Sequence, residues 1–484
     1  MTEASISELL KGAGPRALSV VDASVSGIAY RSTSVQSGYA FFCIPGFKVD
    51  GHDFAADAVS RGALALVVER EVEGLDVAQF LVGSTRAALA SASAEFYGHP
   101  SRSMKLAGIT GTNGKTTTVY LLDAIFRVAE HRTGLIGTVE TRIADERHVS
   151  SRTTPEASDL EALLADMRDD DVSAASIEVS SHAIDLHRVD SVEFAVVAFT
   201  NLTQDHLDYH HTIEEYFSVK RRLFTEFVAG ARVVNVDDPL GARMAGEIDG
   251  VLTVGRSACA DVRAEAEHMT TAGTTFTLVT PHASSVVRFP LAGAYNVSNA
   301  LVAAGCALSV GIGFDAVVRG LESAPQVPGR LERVDLGQAF AVIVDYAHTP
   351  DSLEKAISAV GDVTSGRVIV VFGCGGDRDP GKRPVMGTAA GINADYVIIT
   401  SDNPRSEDPV GIILQVEDGV RETSAAYEVE VDRRAAIRRA LCLAKPGDAV
   451  LIAGKGHEDY QIFADRTVHF DDREVATEEL QTLC

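Results

Sequence analysis

The chain has 484 residues, 46% of them hydrophobic, 23% charged and 6% aromatic, with no Trp. At roughly 150 residues per domain that is about three domains of ordinary globular composition, which argues against long disorder, collagen and coiled coil. Forty-three basic against 68 acidic residues leave a net charge of −25, which argues against general nucleic-acid binding. A phosphate-bearing ligand therefore needs a locally basic, N–H-rich pocket.

The six cysteines, Cys43, Cys259, Cys306, Cys374, Cys442 and Cys484, form no CxxC pair. That spacing fits reduced thiols in a cytosolic protein. The N-terminus Met1-Thr2-Glu3-Ala4-Ser5-Ile6-Ser7-Glu8 lacks the basic start and apolar stretch of a signal peptide, and no 18-residue apolar run occurs. A cytoplasmic, monomeric protein without a membrane span is expected.

In chain order, residues 1–102 read as short strands and helices ending at the turn-rich Tyr97-Gly98-His99-Pro100-Ser101-Arg102. A second segment, 103–330, opens with the apolar strand Lys105 to Thr110 and closes at Ala324-Pro325-Gln326-Val327-Pro328-Gly329-Arg330. The third, 331–484, repeats strand-then-loop units at Phe340 to Asp345, Val368 to Phe372, Tyr396 to Thr400 and Ala449 to Ile452. Continuous Val/Ile runs between helical stretches predict parallel strands buried on both faces, hence α/β architecture. The expectation is a small N-terminal α/β domain, a central phosphate-loop domain on a parallel sheet and a C-terminal Rossmann-like domain. Ligands sit beyond the carboxyl ends of such strands, so loops 111–116, 178–182, 373–383, 402–408 and 453–459 carry the interest.

The segment Gly108-Ile109-Thr110-Gly111-Thr112-Asn113-Gly114-Lys115-Thr116-Thr117 follows a strand and precedes a helix. Glycines let successive N–H groups turn toward one anion, and the helix N-terminus adds partial positive charge. Lys115 would reach the terminal phosphates and Thr116 would place its hydroxyl on Mg²⁺. The strict pattern wants Gly at position 109, where Ile stands, so the loop is a variant. It resembles the ATP loop of the Mur ligases, the ATP-dependent amino-acid-adding enzymes of peptidoglycan synthesis, and folylpolyglutamate synthetases share a related loop.

Glu178-Val179-Ser180-Ser181-His182 and Asn201-Leu202-Thr203-Gln204-Asp205-His206-Leu207-Asp208-Tyr209-His210 follow two further strands, and Lys220 lies ten residues beyond. Read alone, the histidines are surface or core residues and Lys220 a solvated helix lysine. Both motifs resemble Mur ligase metal motifs. That resemblance implies Mg²⁺ ligation by Thr116, Glu178, His206 and a Lys220 carbamylated by CO₂, with Lys115, Lys220 and His206 in the catalytic set. A base for the attacking amine is left open between His206 and a carboxylate.

The same resemblance implies contacts to a UDP-linked muramoyl dipeptide from Ser32, Thr153, Thr154, Ser180 and Arg188. Leu186 stands where many relatives carry Gln, and Arg31 and Thr33 flank Ser32 where Asp and Arg are common. For the nucleotide it implies Gly111, Thr112, Asn113, Gly114, Lys115, Thr116, Thr117, Asn299, Arg330, Asp345 and His348.

Three loops of the last segment bring Arg378, Arg405 and Glu458 to one sheet edge. An arginine fork binds carboxylate in two-pronged fashion and a glutamate suits an ammonium. A diamino dicarboxylic acid offers one of each at its far end, whereas lysine leaves a buried arginine unpaired. In the family, Asp402-Asn403-Pro404-Arg405 accompanies diaminopimelate, with Arg378, Gly454 and Glu458 completing the set. The competing reading is a local salt bridge from Arg405 to Glu407 or Asp408. The implied reaction activates the D-glutamate carboxylate of UDP-N-acetylmuramoyl-L-alanyl-D-glutamate with ATP and then adds meso-2,6-diaminopimelate. Alternatives are L-lysine or another diamino acid, a folylpolyglutamate-type ligase, and a nucleotide-gated binding protein without ligase activity.

Overall fold

The computed structural model describes residues 3–17, 23–150, 152–270 and 273–483; Cys484 lies outside them. The five other cysteines are free thiols, with Cys43, Cys306 and Cys374 buried. Among the described residues no helix is long and apolar enough to cross a membrane.

The first sheet has five strands in the order Arg16–Ala17, Ala78–Leu81, Ala65–Val68, Tyr39–Phe42 and Gly27–Ala29, parallel except for the first. The helix Thr85–Tyr97 starts on a Ser84 side-chain cap and stops at Gly98, whose φ of 72° suits glycine. A single turn at Pro100–Ser103 then leads into the central strand Lys105–Thr110.

The second sheet has eleven strands. Seven run parallel, ordered Thr133–Ile136, Ala174–Glu178, Lys105–Thr110, Phe194–Phe199, Ala229–Asn235, Leu252–Gly255 and Val262–Thr270. The expected parallel sheet is extended at both edges. Glu140–Ile143 and Glu146–Val149 add an antiparallel edge, and Val262–Thr270, Gly273–Val279 and Ser284–Phe289 form an antiparallel meander at the other. The meander alternates, with Phe276 and Leu278 buried and Thr275 exposed between better-covered neighbours, the pattern of a sheet with one wet face. The helix Lys115–Val128 packs beside Ala294–Ser309 over the parallel strands, and their side chains make one continuous core.

The third sheet is ordered Glu332–Arg333, Ala341–Asp345, Ala449–Ala453, Val368–Phe372, Tyr396–Ile399 and Ala426–Val429, parallel except for the first. Every residue of Val368–Phe372 is buried. Val370 and Phe372 face one helix layer and Ile369 and Val371 the other, which is why the run reads as continuously apolar. Because strands 449–453, 368–372 and 396–399 are neighbours, the three loops that follow them emerge side by side.

Candidate active site

The phosphate loop is built as its residues demand. Gly111 and Gly114 take φ of 147° and 86°, conformations costly for a side chain. A Cβ at Gly111 would run into the Thr200 hydroxyl, and one at Gly114 into the Asn299 amide oxygen. Lys115 opens the helix and folds back, donating to the Gly111 and Thr112 carbonyls at 3.0 and 2.8 Å. Asn113 N–H donates to Asn201 Oδ1 at 3.0 Å, so the second motif braces the first. Burial pushes the Lys115 ammonium below the usual lysine range, against the pull of Glu178 and Asp205.

Lys220 is no solvated helix lysine. It is 1% exposed, donates to the Gly111 carbonyl at 2.9 Å, and sits 4.7 Å over the Tyr216 ring. Burial first, and repulsion from Lys115 second, pull its pKa well below the lysine range. Tyr216 meets the Thr112 hydroxyl at 3.3 Å and stacks on His210. His206 is half exposed, 5.0 Å ring to ring from His182, with Nε2 3.4 Å from Asp205. Glu178 is buried at its strand end and accepts from the Thr138 N–H at 2.8 Å and the Thr138 hydroxyl at 3.1 Å. Thr116 accepts from Arg330 Nη2 at 3.2 Å.

Among the described residues, no three His, Cys, Asp or Glu side chains converge as a metal cage. The oxygen donors at the loop, Thr116 and Glu178, instead suit a cation that keeps waters and shares phosphate oxygens, as Mg²⁺ does. They do not suit zinc.

Beside the loop opens a cleft of about 250 Å³ lined by Asn113, Gly114, Thr116, Thr117, Asn299, Arg330 and Asp345 among others. Asp345 accepts from the Leu331 and Ala347 N–H groups, and burial pushes its carboxyl upward despite Arg330 nearby. Arg330 lies 4.8 Å over the Tyr346 ring. His348, expected among the nucleotide contacts, lines a different cavity.

Thr153, Thr154, Ser180 and Arg188 cluster around the end of strand Ala174–Glu178. Thr154 Oγ1 donates to the Glu178 carbonyl at 2.7 Å and accepts from the Ser180 N–H, while Arg188 donates to the Thr154 carbonyl at 3.1 Å. The Thr153 hydroxyl is 3.0 Å from that of Thr138. One buried carboxylate, Glu156, faces Arg86, Arg152 and Arg188. Three guanidiniums against one carboxylate make the locally cationic patch that a protein of net charge −25 needs to hold an anion. Ser32 is buried in the first domain, where its hydroxyl helps hold Asp57 below the usual carboxylate range.

A larger cavity of about 810 Å³ opens between the last two domains. Its lining includes Arg378, Asp402, Asn403, Arg405, Gly454 and Glu458 on one side and His182, Asp205 and His206 on the other, with His348 among them. Pro404 is buried beside the lining residues. The local salt bridge weighed for Arg405 does not form. Arg405 Nη1 donates to the Gly376 carbonyl at 2.8 Å, Glu407 pairs with Arg383, and Asp408 caps the helix Pro409–Arg421. Burial, with Asp402 next, pushes the Glu458 carboxyl upward, and Asn403 Nδ2 donates to it at 2.9 Å.

Sequence reasoning passed over Lys455. It is wholly buried, 3.5 Å from Asp402 and 3.6 Å from Glu458, and donates to Asn403 Oδ1 at 3.2 Å. Its neighbour on both sides is glycine, the one local signal of a side chain in a crowded turn. Asp205, facing both Lys115 and Lys220, and Tyr216 were also missed.

Fold and site together define an ATP-dependent ligase of the three-domain, phosphate-loop kind. The family profiles agree: "Mur ligase family, catalytic domain" matches residues 24–107, "Mur ligase middle domain" 109–307, and "Mur ligase, glutamate ligase domain" 329–456. The UDP-N-acetylmuramoyl-L-alanyl-D-glutamate--2,6-diaminopimelate ligase of Bacillus licheniformis is 47% identical, with 94% of each chain covered. The enzyme of the same name from Alkaliphilus metalliredigens is 44% identical, again over 94% of each. A solved structure of a ligase so named matches with TM-score 0.70 at 30% identity, covering 100% of this chain and 99% of that one. The chain belongs to the Mur ligase family.

Proposed function

We propose that the chain joins 2,6-diaminopimelate to the D-glutamate of UDP-N-acetylmuramoyl-L-alanyl-D-glutamate at the expense of ATP, the reaction named for its similar relatives. The observation that carries this reading is Arg405: a guanidinium in the 810 Å³ cavity, bonded among the described residues to a backbone carbonyl and to no carboxylate, with Glu458 in the same lining. A distal carboxylate and ammonium on one substrate match that pair, whereas lysine would leave the arginine unmatched.

The nucleotide would lie in the 250 Å³ cleft with its phosphates on the loop amides. Lys115, released from the Gly111 and Thr112 carbonyls, would follow the γ-phosphoryl as negative charge develops. The glutamate carboxylate takes the phosphoryl group and ADP leaves. The amine then attacks the acyl carbon, and phosphate departs as the amide forms. Thr116 and Glu178 would hold Mg²⁺, with His206 and a Lys220 carbamate at the same centre; the metal supplies charge neutralisation on the phosphates. Burial of Lys220 beside the loop and Lys115 supports the carbamate, since an ammonium kept from water and repelled by a second cation gains by becoming an anion. His206 or Asp205, on the cavity wall, would accept a proton from the amine.

Ser32, Thr153, Thr154, Ser180 and Arg188 would hold the UDP-dipeptide. This assigns the chain a cytoplasmic place, as a monomer, in the making of cell-wall precursors. Mass spectrometry of protein mixed with ATP, the UDP-dipeptide and a panel of amino acids tests the reading. The expected product is the diaminopimelate amide. An amide with lysine alone, or ATP turnover without any amide, would overturn it. Arg405→Ala should raise KM for diaminopimelate by roughly a hundredfold, the loss of a two-pronged charge-assisted contact of about 3 kcal/mol.

A further inference from the structure

Arg405 can meet a substrate carboxylate only while no carboxylate of the protein claims it. Glu407, two residues on, is the nearest rival in the chain. The rival is held elsewhere. Arg383, on the helix Lys382–Asn393 and 1% exposed, donates to both Glu407 oxygens, Nη2 to Oε1 at 2.8 Å and Nη1 to Oε2 at 2.9 Å. The guanidinium is itself fixed, with Nη1 2.8 Å from Gln415 Oε1 and Nη2 3.4 Å from the Gly375 carbonyl.

How close the rivalry stands is visible in one peptide group. Its carbonyl, on Gly376, accepts from Arg405 at 2.8 Å; its N–H, on Asp377, donates to Glu407 Oε1 at 2.6 Å. Arg405 and Glu407 thus grip opposite ends of the Gly376–Asp377 peptide. Asp377, a second acidic side chain at this turn, is engaged by the Ser406 hydroxyl and N–H, and Asp408 by the helix Pro409–Arg421 that it caps. Glu407 is held below the usual carboxylate range by Arg383 and then by the Asp377 N–H, so it stays anionic at neutral pH.

We propose that Arg383 is a specificity-determining positioning residue: by sequestering Glu407 it keeps Arg405 free for the distal carboxylate of the incoming amino acid. This rests on the reading of Arg405 given above. It explains how an arginine can stand three residues from Asp408 and two from Glu407 without forming the local bridge that its sequence invites.

The test is a cycle of variants assayed for amide formation with diaminopimelate. Arg383→Met frees Glu407, which turns to Arg405; KM for diaminopimelate rises roughly tenfold while kcat and KM for ATP stay within about twofold. Adding Glu407→Gln removes the rival, and the double variant returns toward the wild-type KM. A side chain that merely braced the two loops would give a double variant at least as impaired as the single one. Glu407 is 36% exposed, so removing its partner strands no charge in the core. Should Arg383→Met still fail to fold, Arg383→Lys, which keeps the charge but loses the fork, shows a smaller rise with the same rescue. An unchanged KM in the single variant, or no rescue in the double, overturns the proposal. Arg405→Ala run alongside separates the two ideas: if it leaves KM unchanged, the reading of Arg405 itself is what fails.

Discussion

Lys220 shows how little a residue's type says about its state. Read by type it is a solvated helix lysine, yet it lies at 1% exposure against the phosphate loop, on the face its helix buries with Tyr216, Phe217, Leu223 and Phe224. Lys220→Ala should cut amide formation by more than a hundredfold while nucleotide binding, read by fluorescent ATP analogue titration, changes severalfold at most. Removal of CO₂ should slow the wild-type enzyme and bicarbonate restore it. Glu161 is the opposite case, a buried carboxyl with no role in the site. Burial raises its pKa to about 8 from 4.5, and one of its oxygens has no partner among the described residues. Between those two values the folded state holds a proton that the unfolded state releases, so stability falls as pH rises, by about 1.4 kcal/mol per unit at most. Glu161→Gln should remove that slope: the variant gains on wild type from pH 5 to pH 8 in denaturant unfolding, and the two keep a constant gap below pH 4.

Among the elements, the phosphate-loop turn and the C-terminal helix carry the sharpest expectations. A Cβ at Gly111 meets the Thr200 hydroxyl in a conformation that side chains avoid, and that hydroxyl donates to the Asn113 carbonyl at 2.6 Å. Gly111→Ala should therefore displace the loop and raise KM for ATP at least tenfold, with unfolding temperature lowered by only a few degrees. The helix Asp472–Leu483 is pinned by a pair buried at 0% on both sides: Arg433 donates to Asp472 at 2.7 Å through two nitrogens. The same guanidinium bonds the Ser401 and Ala453 carbonyls, at the roots of the two loops that carry Arg405 and Glu458. Asp472→Ala strands that charge and should cost about 3–5 kcal/mol in denaturant unfolding. The loop itself was legible because strand, glycines, lysine and helix are contiguous. The Arg433–Asp472 pair was not, since 39 residues separate its members and nothing local marks either.

Across the whole molecule, the last domain touches the phosphate loop through few polar bonds. Asp351 Oδ2 accepts from Asn113 Nδ2 and from the Thr203 hydroxyl, each at 3.0 Å, and Arg330, at the junction of the two domains, reaches Thr116. The first domain packs its helix Thr85–Tyr97 on the second domain's Ala157–Asp169, with Ala157 in the first domain's core. It adds Arg86 to Glu156, Arg168 to the Tyr97 carbonyl at 2.7 Å, Tyr30 to Asp159 at 2.7 Å and the edge-on rings of Phe47 and Tyr209. The last domain's few polar bonds to the loop leave it free to move, and bringing carboxylate, phosphate and amine together is the step such movement serves. Asp351→Ala should loosen the last domain, seen as a larger radius of gyration in X-ray scattering without nucleotide, and raise KM for ATP and diaminopimelate together.

By itself the sequence determined what depends on short stretches of chain. These are three α/β domains from runs of buried strands, the phosphate loop from its glycines and lysine, and the three selector loops from their positions after strands. Local backbone chemistry acts over a few residues, so it is written in adjacent letters. Only the tertiary structure decided which charges meet: Lys220 against the loop, Lys455 between Asp402 and Glu458, and Glu407 claimed by Arg383 instead of Arg405. It also decided that the central sheet ends in antiparallel strands. Pairing of charges and sheet edges depends on distances across the fold, and one-dimensional spacing carries no record of those distances.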